Sequence, residues 1–223
     1  VFSTREHQQH PTIDTAHLMT ADRRAVLVIA TRNPGKLREL QRILDDLPFE
    51  QRSLRDYPEV PSLPEDGSTY VENALSKALT VARLTGEITL ADDSGIEVDY
   101  LDGGPGVHSA RFLGDDAGDD ERNREILRRM KSVPAESRTA RYRAVVAVAL
   151  PDGTAHTFEG VCEGMVMLEP RGEAGFGYDP IFYVPELDRT MAELSAEEKD
   201  RISHRGAALR KARDFLLTIT ATG

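Results

Sequence analysis

At 223 residues with a formal net charge of −10, the chain can form one sizeable domain or two closely packed lobes, and its acidity disfavours broad binding to nucleic acid. Any phosphate-bearing ligand must therefore be met by a local Lys, Arg or metal ion. A single cysteine, Cys162, excludes an internal disulfide, no apolar run is long enough to span a bilayer, and residues 1–22 carry no secretory pattern, so a cytoplasmic protein away from membranes is expected.

Residues 1–22 are polar and aperiodic and read as a flexible N-terminal extension. His7 and His10 are the only metal-capable pair there, and nothing nearby would fix their geometry. Ala25 to Ala30 is a continuous apolar run, as in a strand buried on both faces. Thr31-Arg32-Asn33-Pro34-Gly35-Lys36 follows, then a helix with Leu37, Leu40, Leu44 and Leu47 at helical spacing. Asn33 suits the N-cap and Pro34 the first helical position, so the amides of Gly35 and Lys36 are expected to stay free at the positive end of the helix. Strand, polar turn and helix N-terminus with a lysine form an anion site suited to phosphate, although the spacing is not that of a Walker A loop. Pro58 to Pro64 reads as a loop delivering Glu65-Asp66-Gly67 to a helix from about Thr69 to Thr85, which buries Tyr70, Ala74, Leu75, Ala78, Val81 and Ala82. Asn73 and Lys77 fall on its flank, where Lys77 either meets solvent and Asn73 or reaches a phosphate.

The chain is organised around Leu90-Ala91-Asp92-Asp93-Ser94-Gly95-Ile96-Glu97. The apolar run before it reads as a strand that stops at the carboxylates, with Gly95 turning the backbone before Ile96, Val98 and Tyr100 resume a period-2 pattern. Adjacent carboxylates raise each other's pKa unless a cation intervenes, so this stretch is either a Mg²⁺ or acid/base site, or a polar turn between strands.

Leu101 to Gly106 forms an irregular loop, and Gly114 to Asp120 a solvated acidic loop feeding a helix that buries Ile126, Leu127 and Met130. Thr139 to Leu150 reads as a long strand, Pro151-Asp152-Gly153 as its turn and Thr154 to Met167 as the returning strands, a scaffold or interface without a catalytic cluster. In Gly175-Phe176-Gly177-Tyr178-Asp179-Pro180 the glycines would expose the Phe176 ring to a flat ligand while Asp179 accepts from its edge, unless this is a packed aromatic turn. Ser195-Ala196-Glu197-Glu198 is a capping box opening a helix with Lys199. Ser203-His204-Arg205-Gly206 then starts a last helix burying Leu209, Ala212, Phe215, Leu216 and Ile219. Cations in that first turn oppose the helix dipole, which points to a ligand.

Taken in order, ATRNPGK at 30–36, ENALSKA at 72–78, ADDSGIEVD at 91–99, PGVHSAR at 105–111, AGFGYDPIF at 174–182 and EEKDRISHRG at 197–206 resemble the inosine-triphosphate pyrophosphatase family. The resemblance covers the chain from about Val26 to Leu217. It implies an elongated α/β fold, a mixed β-sheet flanked by helices in two lobes with a nucleotide cleft between them, as a single domain over 23–223 and commonly a homodimer. It implies Mg²⁺-dependent hydrolysis of non-standard purine nucleoside triphosphates, dITP, ITP and XTP, to monophosphate and pyrophosphate. Thr31, Arg32, Asn33, Pro34, Gly35 and Lys36 would hold the triphosphate with Lys77. Asp93 would bind Mg²⁺ and act as the base, with Glu65, or less preferably Asp66, as second metal ligand. Ser94 would contact substrate, and Phe176, Gly177, Tyr178, Asp179, Lys199, His204 and Arg205 would form the nucleoside side. Residue chemistry by itself equally permits release of the γ-phosphate. Donors such as Arg205 or backbone amides would favour the O6 of hypoxanthine or xanthine over adenine.

Overall fold

The computed structural model describes residues 24–221; the expectations for residues 1–22, His7 and His10 included, lie outside the described residues. Strand β1, Val26–Ile29, is apolar and buried on both faces, so it can sit between two parallel neighbours, β2 (Glu50–Ser53) and β3 (Ile88–Val98). Helix α1 (Pro34–Ile43) connects β1 to β2, and α2 (Tyr70–Thr85) leads into β3. Beyond β3 the pairing is antiparallel. Strand β4 (Gly104–Pro105) folds back on the end of β3, and β5 (Thr139–Ala149) runs along its length. Strand β6 (Ala155–Val166) returns through the expected Pro151–Gly153 turn as one strand, closed by Gly153 N donating to Leu150 O. Short strands β7 (Phe182–Val184) and β8 (Arg189–Thr190) extend the far end. Helix α3 (Asp119–Met130) precedes β5, and α4 (Ala196–Ile202) and α5 (His204–Ala221) complete the described chain.

Because side chains alternate along a strand, the long β3 and β5 serve several cores. Leu90, Val146 and Val148 pack with Leu40 of α1, Leu44 at its C-cap and Leu209 of α5 on one face, while Ala91, Val145 and Ala147 pack with Ala74, Ala78 and Val81 of α2 on the other. Further along the same strands, Ile96, Val98 and Ala140 join Ile126, Met130 and Phe182 in a separate core. The result is a mixed sheet flanked by helices, in two lobes that share strands. Leu75, Leu127 and Phe215 are only half-buried, at the edges of the helical faces that were expected to cover them.

The polar stretch at Asp92 is not a turn. Strand β3 passes straight through it, in register with β5 from Thr89 opposite Ala149 to Val98 opposite Ala140. What ends here is β1, whose pairing with β3 stops at Ile29 opposite Leu90; β4 joins only at Glu97 opposite Pro105. Between these points β3 is held from one side by β5 and has an edge uncovered by any strand, which gives polar side chains a crevice beyond the end of β1.

Gly95 also has a different purpose from the expected turn: a Cβ there would lie 2.2 Å from the Gly106 carbonyl oxygen and 2.5 Å from Ser109 Oγ. Gly95→Ala is accordingly expected to destabilise the protein by about 1–3 kcal/mol through overpacking, seen as a lower calorimetric melting temperature. A native melting temperature would show that the Gly106–Ser109 segment yields without cost.

Candidate active site

The crevice begins at the turn after β1. Asn33 caps α1, and its Oδ1 accepts from Gly35 N at 2.8 Å and Lys36 N at 3.0 Å, while Asn33 N donates to Thr31 Oγ1 at 3.2 Å. The two amides expected to be free are therefore occupied by the cap itself. Anion binding at this turn falls chiefly to the Lys36 side chain, whose Nζ lies 3.2 Å from Asp92 Oδ2. Arg32 points elsewhere and donates to Val60 O at 2.8 Å, in the proline-rich loop. Pro34 occupies the first helical turn as expected. Gly35 allows the Phe176 ring to rest on the turn, since a Cβ would come within 2.6 Å of that ring.

Asp92 and Asp93 are neighbours in an extended strand, so their side chains leave on opposite faces and the repulsion expected of an adjacent pair is largely relieved. Asp92 Oδ2 lies 3.2 Å from Lys36 Nζ and 3.1 Å from Arg205 Nε. Asp93 Oδ2 accepts from Asn73 Nδ2 at 2.9 Å, and its Oδ1 lies 3.7 Å from Lys77 Nζ. Lys77 is buried rather than solvated, and it also donates to Glu65 Oε1 at 2.5 Å and to Asp92 O at 2.6 Å. Burial pushes both aspartates upward in pKa. For Asp92, Lys36, Arg205 and Lys77 outweigh burial and hold the carboxyl well below the usual range; for Asp93, Lys77 and Lys36 leave a net upward shift. A carboxylate whose proton affinity is raised is suited to proton transfer, whereas its neighbour is a fixed counter-charge. Glu65 is partly buried and drawn into this group by Lys77, while Asp66 is exposed.

On the other side of the crevice, buried ion pairs join α1, α4 and α5. Glu39 takes Lys199 Nζ at 2.8 Å and Arg205 Nη1 at 2.6 Å. Arg205 uses its remaining nitrogens on Asp92 and, through Nη2 at 2.8 Å, on Ser94 Oγ. The Arg205 charge at the start of α5 is thus compensated inside the protein, with three of its five N–H groups engaged. Asp179 also lines the cavity and is engaged within the protein: it accepts from Lys199 Nζ, from Phe176 N at 2.9 Å and from Tyr142 Oη at 3.3 Å. Tyr178 is buried and donates to Ser109 O at 2.9 Å, and Gly177 N donates to Asp119 Oδ2 at 2.7 Å. Phe176 is half-buried, with Lys199 Nζ 4.8 Å and Arg205 Cζ 5.6 Å from its ring centre. His204 is buried, its pKa driven well down by burial and by Arg205 and Lys199, so it is neutral; its Nδ1 lacks a hydrogen-bond partner. Its ring stacks on Tyr142 at 4.5 Å and 15°.

Sequence reasoning missed Glu39, Tyr142 and Asp119. The signals were slight: an acid beside Leu40 on the apolar side of α1, an aromatic at an inward position of β5, and an acid among several before α3. The cavity that results is lined by Lys36, Ser94, Tyr142, Phe176, Lys199 and His204 among others, so that cations and aromatic rings share its walls. Such a site can hold a phosphorylated aromatic molecule.

The sequence profile of the Ham1 family matches residues 27–215. A dITP/XTP pyrophosphatase of Desulforamulus reducens is 50% identical over 190 residues, which span 85% of this chain and 94% of that protein. One from Geobacter sulfurreducens is 52% identical over 190 residues, spanning 85% and 96%. Among solved structures, a HAM1 protein from Coxiella burnetii superposes with a TM-score of 0.79 at 41% identity, covering 87% of this chain and 99% of that one.

Proposed function

The chain belongs to the Ham1 family and is a nucleoside triphosphate pyrophosphatase, and on that premise we propose that it hydrolyses dITP, ITP and XTP with Mg²⁺ to nucleoside monophosphate and pyrophosphate. The observation that carries the reading is one buried ammonium, Lys77, joining Asp93 to Glu65 beside a cavity lined by Lys36 and Phe176.

The donor set fits Mg²⁺. That ion takes one or two carboxylates and completes its shell with water and substrate phosphates, and Asp93 and Glu65 supply two carboxylates facing one cation. Among the described residues no group of three or more His, Cys, Asp or Glu could hold a metal, which leaves further positions to water and phosphate. Charge points the same way. Lys36, Lys77, Arg111, Lys199 and Arg205 stand against Glu39, Glu65, Asp92, Asp93 and Asp179, five against five, so no net positive charge is left for a triphosphate and additional positive charge is needed.

When bound, Mg²⁺ would neutralise phosphate charge and polarise the α-phosphorus. Asp93 takes the proton of the attacking water on its carboxylate, whose Oδ2 is oriented by Asn73. Lys36 and Lys77 stabilise charge gathering on the leaving pyrophosphate. On the nucleoside side, Phe176 offers its face to the base. Lys199 has three N–H groups, of which Asp179 and Glu39 take two, so the third, together with the unpartnered Nδ1 of His204, can address the edge of a 6-keto purine. Adenine presents a donor where these substrates present O6, and leaves Lys199 unpaired.

Product analysis with dITP, ITP, XTP, GTP and ATP in Mg²⁺ tests the reading. Monophosphate plus pyrophosphate from the inosine and xanthosine substrates is expected; orthophosphate, or binding without turnover, refutes it. The same reading carries a homodimer and a cytoplasmic setting, which light scattering and cell fractionation would check. No helix of the described residues is long and apolar enough to cross a membrane.

A further inference from the structure

The residue that presents Glu65 is not supplied by its own neighbourhood. Residues 61–67 form no regular secondary structure, so their carbonyls have no ladder to pair with. Arg111 Nη2 donates to Glu65 O at 2.7 Å, and its Nη1 lies 3.7 Å from Glu65 Oε2. One guanidinium thus faces both the backbone and the carboxylate of the same residue, while Lys77 holds the other carboxylate oxygen. Arg111 is itself referenced to the sheet. It ends the 3₁₀ turn Gly106–Arg111, in which Ser109 Oγ donates to Gly106 O at 2.6 Å and accepts from Ile96 N of β3 at 2.9 Å. The link from β3 through Ser109 to Arg111 places a loop residue in the frame of the strand that carries Asp93.

We propose that Arg111 is a positioning residue that orients Glu65 toward the divalent cation. The inference rests on the reading of Glu65 as a metal ligand. It follows from the general dependence of metal sites on the groups that hold their ligands, whose removal typically weakens binding by roughly 10–100-fold. Arg32 fixes the same loop further back, at Val60 O and Pro61 O, but touches no carboxylate and is not expected to set the orientation of Glu65.

The test is Mn²⁺ titration followed by electron paramagnetic resonance, alongside the Mg²⁺ dependence of dITP hydrolysis, for the native chain, Arg111→Met, Arg111→Lys and Glu65→Gln. Arg111→Met is expected to weaken Mn²⁺ binding on the order of tenfold and to raise the Mg²⁺ concentration for half-maximal rate by a similar factor, with KM for dITP at saturating Mg²⁺ unchanged. Arg111→Lys should recover part of the loss. Native Mn²⁺ binding by Arg111→Met, with binding lost in Glu65→Gln, overturns the role of Arg111 and leaves Glu65 as a ligand. Native binding by Glu65→Gln overturns the metal reading itself. A raised KM at saturating Mg²⁺ with native Mn²⁺ binding makes Arg111 a substrate contact instead. Should Arg111→Met fail to fold, Arg111→Lys decides: weaker Mn²⁺ binding than native supports the proposal and equal binding overturns it.

Discussion

Asp93→Asn is expected to lose roughly 10³-fold in turnover, within the range typical of a removed general base, and yet to melt at a higher temperature than the native protein at pH 7. The two effects have one cause. Burial raises the pKa of Asp93 more than Lys77 and Lys36 lower it, so its ionised form is disfavoured in the folded protein. For a carboxyl raised above its unfolded value, the stabilising contribution is fully present below that unfolded value and is lost as pH rises through the folded one. At neutral pH the native protein therefore carries a destabilising charge, which the amide removes. The amide oxygen can still accept from Asn73, and Lys77 keeps Glu65 and the Asp92 carbonyl. The advantage of the variant should shrink as pH falls and Asp93 itself becomes protonated. Calorimetry between pH 4 and pH 7, with pyrophosphate release as the activity readout, checks both halves. A variant that turns over within tenfold of native, or that melts lower, removes Asp93 from the role of base kept at the expense of stability.

The parallel half of the fold is legible because its signals are local. Four apolar residues in a row at Val26–Ile29, the Asn33-Pro34 helix start, and the helical spacing of Tyr70, Ala74, Ala78 and Val81 each follow from a few neighbouring residues. The Asp92–Gly95 stretch misleads for the opposite reason. Its polarity records that β1 has ended beside it, a fact of strand pairing that adjacent residues do not encode. The residue types of the site are legible from their chemistry, but not which of their atoms stay available. Asn33 occupies the Gly35 and Lys36 amides, and Arg205 gives three of its five N–H groups to Glu39, 166 positions earlier in the chain, and to Asp92 and Ser94. Glu39 and Tyr142 carry no motif at all. Their significance comes from partners brought by α4 and α5, and a burial pattern along one helix or strand cannot name those partners.

Asp92→Asn should behave as the mirror image of its neighbour and destabilise the fold. Asp92 is buried, and its Oδ2 is the shared counter-charge for Lys36 and Arg205. Removing one partner of a buried ion pair costs about 3–5 kcal/mol because the surviving charge stays desolvated. Here the lower end is expected, since Arg205 keeps Glu39 and Lys36 is partly exposed, with its side chain at 13%. About 3 kcal/mol corresponds to a fall of roughly 6–12 °C in melting temperature for a chain of this size. The pH dependence also reverses. The folded pKa of Asp92 lies below its unfolded value, so its stabilisation is present above the unfolded value and is lost as pH falls toward the folded one. The gap between native and Asp92→Asn should therefore be full at pH 7 and close below about pH 4. A double-mutant cycle with Lys36→Met separates the pair from its surroundings: a coupling of at least about 1 kcal/mol is expected for charges in direct contact. Equal melting of Asp92→Asn and native protein at pH 7 would mean that Asp92 does not hold the cations of α1 and α5 together. The opposite shifts of two adjacent carboxylates would then need another cause. If the gap is found, β3 carries side by side a carboxylate that stabilises the fold and one that strains it, kept apart by nothing more than the alternation of a β-strand.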